Sequence, residues 1–192
     1  MKVIGVVGTF CAGATSIAKK LGELLDAPVG SLAEKLREEL RRRGVPVVRE
    51  NLQKLANELR SKDSRALGWL VIEEFEGLGK NVFIAEPIRS MGDYLAFKQK
   101  YGNDFVLLGV DAPIKVRYER ALGRKREGEE KLLLEEFKAS EEKEARKEAR
   151  EFEQNIPRVS GLADYVIVND GTLGELDEKL KRFLREYGLL RE

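Results

Sequence analysis

The chain has 192 residues, 42% of them hydrophobic, and carries 35 Lys and Arg against 34 Asp and Glu, for a net charge of +1. That is enough material for one filled domain, and the near balance of charge argues against nucleic acid or an anionic membrane as the main partner. Histidine is absent and cysteine occurs once, at Cys11. These counts remove a Ser-His-Asp triad, an imidazole base, imidazole-bound metal, an internal disulfide and a thiolate zinc cluster.

The opening apolar stretch is too short for a signal or membrane-spanning segment, so a cytoplasmic location is the expectation. Few Met and Cys, no His and 36% charged residues fit a heat-adapted chain. They fit equally a chain redesigned for helix formers and charged surfaces.

In chain order, "KVIGVVG" (2–8) reads as a buried strand from its run of Val and Ile. "ATSIAKKLGELL" (14–25) reads as a helix, and "APVG" (27–30) as a very short strand. "SLAEKLREELRRRG" (31–44) is a helix with a Ser31–Glu34 capping box and Gly44 as its stop. After a loop through Pro46, "ENLQKLANELRSK" (50–62) and "SRALGWLVIEEFEGLGK" (64–80) are helical, the second weakened by Gly68. "NVFIAE" (81–86) is a strand, "SMGDYLAFKQKYG" (90–102) a helix and "DFVLLGVDA" (104–112) a strand. "PIKVRYERALGRK" (113–125) is a helix opened by proline, and residues 129–153, rich in Glu, Lys, Arg and Ala, are expected to be helical. "ADYVIVND" (163–170) is the last strand and "TLGELDEKLKRFLREYG" (172–188) the last helix. Five strands separated by helices imply an α/β fold with a parallel sheet covered on both faces, in one domain spanning 1–192.

The first strand-to-helix junction, "GTFCAGATS" (8–16), is the most informative stretch. Gly8 and Gly13 have the G-x-x-x-x-G spacing of a phosphate-binding loop, and the hydroxyls of Thr15 and Ser16 follow where such loops hold Mg²⁺. Main-chain N–H groups of such a loop, with the positive end of the next helix, make a cradle for anions. Because the cradle is mostly backbone, Cys11, Ala12 and Ala14 contribute to it whatever their side chains. Position 14, however, is where these loops carry lysine, and alanine cannot charge-balance the β- and γ-phosphates. Losing one preorganised donor lowers rates by roughly 10²–10³. Lys19 and Lys20 stand roughly 7–9 Å further along the helix at 1.5 Å per residue and are poor substitutes. On its own the spacing also fits an ordinary glycine-rich turn.

Four other stretches point the same way. Glu86 ends a strand with Arg89 three residues later, a carboxylate suited to Mg²⁺ beside a guanidinium suited to phosphate. "VRYERALGRKRE" carries Arg117, Arg120, Arg124 and Arg126, the first three on one helical face. Arg37, Arg49, Asn51, Gln53 and Arg60 are candidates for a second phosphate group. "VNDGT" (168–172) is a turn whose backbone suits a base edge, or a plain turn. Arg41, Arg42 and Arg43 form a dense basic run, but Glu38 and Glu39 flank it, which argues again against nucleic acid. Trp69 reads as core.

Taken together, these stretches resemble the P-loop nucleoside-monophosphate kinases. More closely, the chain is similar to archaeal and bacterial nucleotide-kinase-like proteins related to dephospho-coenzyme A kinase and adenylate kinase. The landmarks are "VIGVVGTFCAG", "LREELRRRG" with "ENLQKLANELR", "IRS", "RYER" and "LADYVIVNDGT", in family order over nearly the whole chain. The resemblance implies a three-layer P-loop sandwich with strand order 2-3-1-4-5, an acceptor-binding helical region over 31–80 and a lid over 124–153. It implies ATP in the loop Gly8–Ser16, with Asn169 and Gly171 near the adenine and Arg120 near the donor adenine or phosphates. Arg37 and Arg89, with Gln53, would hold the acceptor, and Arg124 and Arg126 would close from the lid. Mg²⁺ would sit at Thr15 and Glu86. The departures are Ala14 and, where relatives carry aspartate, Glu86 followed by Pro87. Three readings follow: an impaired phosphotransferase acting on a nucleotide or other phosphate-bearing molecule, a nucleotide-binding module without turnover, or a redesigned scaffold of this fold.

Overall fold

A computed structural model describes residues 1–123, 133–144 and 153–190. Continuous apolar runs make the interior strands, because there both faces of a parallel sheet are covered. β1 (Lys2–Gly8), β2 (Val29–Ser31), β3 (Val82–Glu86), β4 (Phe105–Asp111) and β5 (Tyr165–Val168) form one parallel sheet in the order β2-β3-β1-β4-β5. Ile4 pairs with Ile84 on one side and Val106 on the other, so β1 is central. The sheet's edges are its two shortest strands, β2 with 3 residues and β5 with 4.

The helices are α1 (Ala14–Leu25), α2 (Leu32–Arg42), α3 (Arg49–Lys62), α4 (Ala66–Glu76), α5 (Met91–Tyr101), α6 (Ile114–Gly123), α7 (Leu134–Glu144), α8 (Ile156–Ser160) and α9 (Leu173–Glu186). The two-residue alternation of the strands splits the core into two layers. Val3, Val7, Phe83, Ala85, Phe105 and Leu107 face α2 to α5 and α8. Ile4, Val6, Ile84, Leu108 and Val110 face α1 and α9. Each fully buried large side chain contributes about 1.5–3 kcal/mol of transfer free energy.

The sequence expectations hold for sheet, order and layers, with instructive shifts. The short strand expected over 27–30 runs Val29–Ser31, so Ser31 closes β2 and also caps α2, accepting the Glu34 N–H at 3.3 Å. The Glu34 carboxylate accepts from Arg37 and Arg41. The helix expected over 64–80 is confined to Ala66–Glu76, and its Gly68 has a packing reason: a Cβ there would lie 2.5 Å from the Ala96 Cβ, so α4 and α5 approach closely only with glycine. Trp69 packs, partly buried, against the first core layer. Of the helical stretch expected over 129–153, residues 133–144 and 153 are described: Leu134–Glu144 form α7 and Glu153 is in no helix, while Arg124 and Arg126 lie outside the described residues. The five-residue α8, with Pro157 in its first turn and Asn155 as cap, has no counterpart in the sequence reading.

Candidate functional site

The carboxyl ends of all five strands open on one edge, where open α/β sheets bind ligands at the point of strand-order reversal. The junction from β1 to α1 lies there. The Thr9 N–H donates to the Val110 carbonyl at 3.3 Å and its hydroxyl to Asp111 Oδ1 at 2.8 Å, which fixes the loop to the end of β4. The Ala12 N–H closes back on the Thr9 carbonyl at 3.0 Å. Two residues take left-handed backbone, Cys11 at φ 61° and Gly13 at φ 99°. At Gly13 a Cβ would lie 2.6 Å from Asn169 Nδ2, so conformation and space both require glycine.

Gly13 caps α1 with no side-chain hydrogen bond, and the first turn holds no acidic residue. The helix therefore starts with main-chain donors at Ala14, Thr15 and Ser16 that no side chain of its own cap or first turn engages. Two of the loop's carbonyl groups, those of Phe10 and Ala12, accept from other elements. Arg117 Nη1 donates to the Phe10 carbonyl at 3.3 Å. Asn169 Nδ2 donates to the Ala12 carbonyl at 2.8 Å, and Arg120 Nη1 to the same oxygen at 3.3 Å. Arg120 Nη2 donates to the Asn169 carbonyl at 2.9 Å, tying α6 to the turn after β5. Gly171 is exposed in that turn, where a hydrogen bond from Lys179 holds the Asp170 carboxyl below its ordinary range. Lys20 forms an ion pair with Asp177.

On the other side of the loop, Glu86 is 6% exposed at the end of β3. Its Oε2 accepts from the Thr15 hydroxyl at 3.0 Å and its Oε1 from the Ser31 hydroxyl at 3.2 Å. The structure thus brings Thr15 and Glu86 together and adds Ser31, which the sequence offered only as a helix cap. Hard oxygen donors of this kind suit Mg²⁺, which takes one or two protein ligands and completes its shell with waters and phosphate oxygens. Among the described residues no group of three or more His, Cys, Asp or Glu is close enough to hold a metal by itself.

The residues expected on the acceptor side lie in different surroundings. Arg89 lies in the turn after β3; its N–H donates to Asp93 Oδ2 at 3.3 Å and its carbonyl accepts from the Asn155 N–H at 2.9 Å. Arg37 Nη1 meets Glu34 Oε2 at 3.1 Å, and hydrogen bonds from Arg41 and then Arg37 hold the Glu34 carboxyl below its usual range. Gln53 is exposed on α3. Arg60, grouped with these in the sequence, is buried: it donates to both oxygens of the fully buried Asp93, at 2.9 and 3.2 Å, and its Nη1 has no hydrogen-bond partner. It is an anchor between α3 and α5.

Sequence reasoning missed Asp111 and Ser31, although both stand at strand ends, the signal that selected Glu86. It also missed Phe137 and Glu141 of α7, which pack against the loop's surroundings and have no local signature.

No family model matches the chain. It is 31% identical over an alignment of 193 residues to a UPF0200 protein of Methanoculleus marisnigri, and the match covers 98% of each chain. The chain belongs to the UPF0200 family. A UPF0200/UPF0201 protein of Archaeoglobus fulgidus is 34% identical over 187 residues; the match covers 96% of the present UPF0200 chain, which spans 55% of that relative's length. Among solved structures, shikimate kinase from Acinetobacter baumannii in complex with shikimate aligns over 99% of this chain and 96% of its own, with TM-score 0.58 and 18% identity. TT1252 from Thermus thermophilus aligns over 96% and 97%, with TM-score 0.58 and 23% identity. These likenesses establish a P-loop kinase-like fold for the UPF0200 chain. No helix among its described residues is long and apolar enough to cross a membrane.

Proposed function

We propose that the chain binds a nucleoside triphosphate, ATP, with Mg²⁺ at the loop Gly8–Ser16. We further propose that it transfers the γ-phosphoryl group, slowly, to a nucleotide or related phosphate-bearing acceptor. The observation that carries this reading is the loop's hydrogen bonding: its Phe10 and Ala12 carbonyls are taken up by Arg117, Arg120 and Asn169, while α1 opens behind Gly13 with no side-chain cap. Consecutive N–H groups in that arrangement suit a polyphosphate. Thr15 and Glu86 would hold Mg²⁺, which supplies charge neutralisation of the phosphate oxygens.

In this reading the backbone from Gly8 through Cys11, Ala12, Gly13, Ala14, Thr15 and Ser16 cradles the phosphates, and the turn at Asn169 and Gly171 flanks the adenine. Arg89, Arg37 and Gln53 receive the acceptor in a helical region over 31–80. The 124–153 segment acts as the lid and delivers Arg124. Arg120 serves from the donor side. Catalysis is then positioning and electrostatics, with little covalent chemistry from the protein.

Ala14 favours a second reading, a nucleotide-binding module with no turnover, because the charge that moves with the transferring group has no side-chain counterpart at that position. Calorimetry with ATP and Mg²⁺ tests binding, and absence of saturable heat would leave only the architecture. Coupled ADP release with a panel of monophosphates then separates the two readings. Ala14→Lys is expected to raise turnover by roughly 10²–10³ if the site is otherwise competent. Turnover unchanged from background in that variant would favour the binding module.

A further inference from the structure

Helix α7 is separated from the loop by more than a hundred residues of sequence, yet it forms part of the loop's wall. Phe137 is fully buried. Its ring lies 5.6 Å from that of Phe10 and 5.8 Å, edge-on, from that of Tyr118, in one cluster with Cys11 and Ala121. One turn further along, Glu141 forms an ion pair with Arg117. Arg117 is 8% exposed, and its donors also reach two carbonyls: Nε to Ala112 at 2.7 Å and Nη1 to Phe10 at 3.3 Å. The guanidinium therefore joins the loop, the turn after β4 and α7. The residue after Phe10 is Cys11, a non-glycine residue at φ 61°, a conformation that persists where the surroundings impose it.

We infer that Arg117 is the positioning residue of the loop and that Glu141 and Phe137 keep it in place, so that the loop holds its anion-receiving shape only while α7 is seated. A buried guanidinium without its carboxylate is strongly disfavoured, so loss of Glu141 releases Arg117 from the Phe10 carbonyl. Loss of the Phe137 ring removes the apolar cover over Cys11. The loop then reaches other conformations, and a polyphosphate must reorganise it before binding. The inference rests on the reading above in one respect, that the loop's ligand is a polyphosphate.

Cys11 supplies the test, because it is the chain's sole thiol and is 4% exposed within the cluster that contains Phe137. Its reaction with an aromatic disulfide reagent reports the opening of α7. Glu141→Gln and Phe137→Ala are each expected to speed labelling by about tenfold or more under native conditions, and Phe137→Leu to restore protection. At a temperature below every variant's unfolding midpoint, the first two should weaken binding of inorganic tripolyphosphate with Mg²⁺ by roughly 5–10-fold, and Phe137→Leu should regain it. Unchanged labelling in both variants overturns the inference. So does faster labelling with affinity equal to or tighter than that of the unaltered chain, since α7 would then be irrelevant to the loop or an obstacle to it. If the unaltered chain binds no tripolyphosphate, the functional reading falls separately. The labelling series then decides the seating of α7 by itself: acceleration with rescue by Phe137→Leu supports it, and no acceleration overturns it.

Discussion

Arginine does different work in two regions of this molecule. On the outer face of α2 and α3, Arg41, Arg42 and Arg43 pair with Glu34, Glu39 and Glu58 in water. In the interior, Arg60 meets Asp93 with side chains 3% and 0% exposed, and Arg117 meets Glu141 against the loop. The surface pairs are interchangeable: Glu39 receives two arginines, and Arg43 reaches two glutamates. The buried pairs are not, because each desolvated ion depends on one counter-ion and a few fixed hydrogen bonds. The same residue type in the same chain thus marks solubility in one place and architecture in the other, and burial decides which.

The sharpest way to break this contrast is Asp93→Ala. That carboxylate balances Arg60, accepts the Arg89 and Ser90 N–H groups and forms the capping box of α5 with Ser90. Its removal leaves a buried cation unpaired and is expected to cost about 3–5 kcal/mol, read as a lower urea midpoint with little change in slope. A loss as small as that of a surface substitution would overturn the distinction. The exposed counterpart is the capping box of α9, where Thr172 accepts the Glu175 N–H at 3.3 Å. There, Thr172→Ala should cost only about 1 kcal/mol in the same titration.

The smallest effect belongs to the surface network. Arg42→Ala is expected to leave the midpoint in moderate salt unchanged, since exposed ion pairs are screened and pay in side-chain order. Its signature should appear with pH instead. Hydrogen bonds from Arg42 and then Arg43 pull the Glu39 carboxyl down to about 2. A carboxyl depressed on folding adds stability that is present above its ordinary value of 4.5 and is lost as the pH falls through about 2. Arg42→Ala should therefore flatten the acid limb of a low-salt stability profile over that interval, and added salt should erase the difference. An acid limb identical in the two proteins at low salt would mean that the pair is not formed in solution.

These contrasts also explain what could be read from residues alone. β1, β3 and β4 are legible because buried parallel strands are apolar without alternation, β5 because Tyr, Val and Ile favour a strand although Val166 and Val168 are exposed, and the loop because Gly8 and Gly13 obey a local spacing. Gly68 was visible as a helix breaker, but its reason, the Ala96 methyl on α5, exists only once the helices pack. Arg60 carried a usable hint that went unread. It falls four residues after Ala56 on the apolar face of α3, the position of a buried side chain rather than of a phosphate ligand. Arg117 was seen on one face with Arg120, yet its targets, the Phe10 carbonyl and Glu141, are 107 and 24 residues away, and no window of sequence contains them. Ser31 shows how one residue hides two duties: the capping signal was read, while the hydroxyl's bond to Glu86 required β2 and β3 to be neighbours.

The shortness of the two outer strands has a consequence for the protein in a crowded solution. A second molecule attempting to extend the sheet would find three residues to pair with along one margin and four along the other. Templated fibre growth needs longer unpaired rims than these, so the long, strongly apolar strands β1 and β4 stay sheltered in the middle of the ribbon.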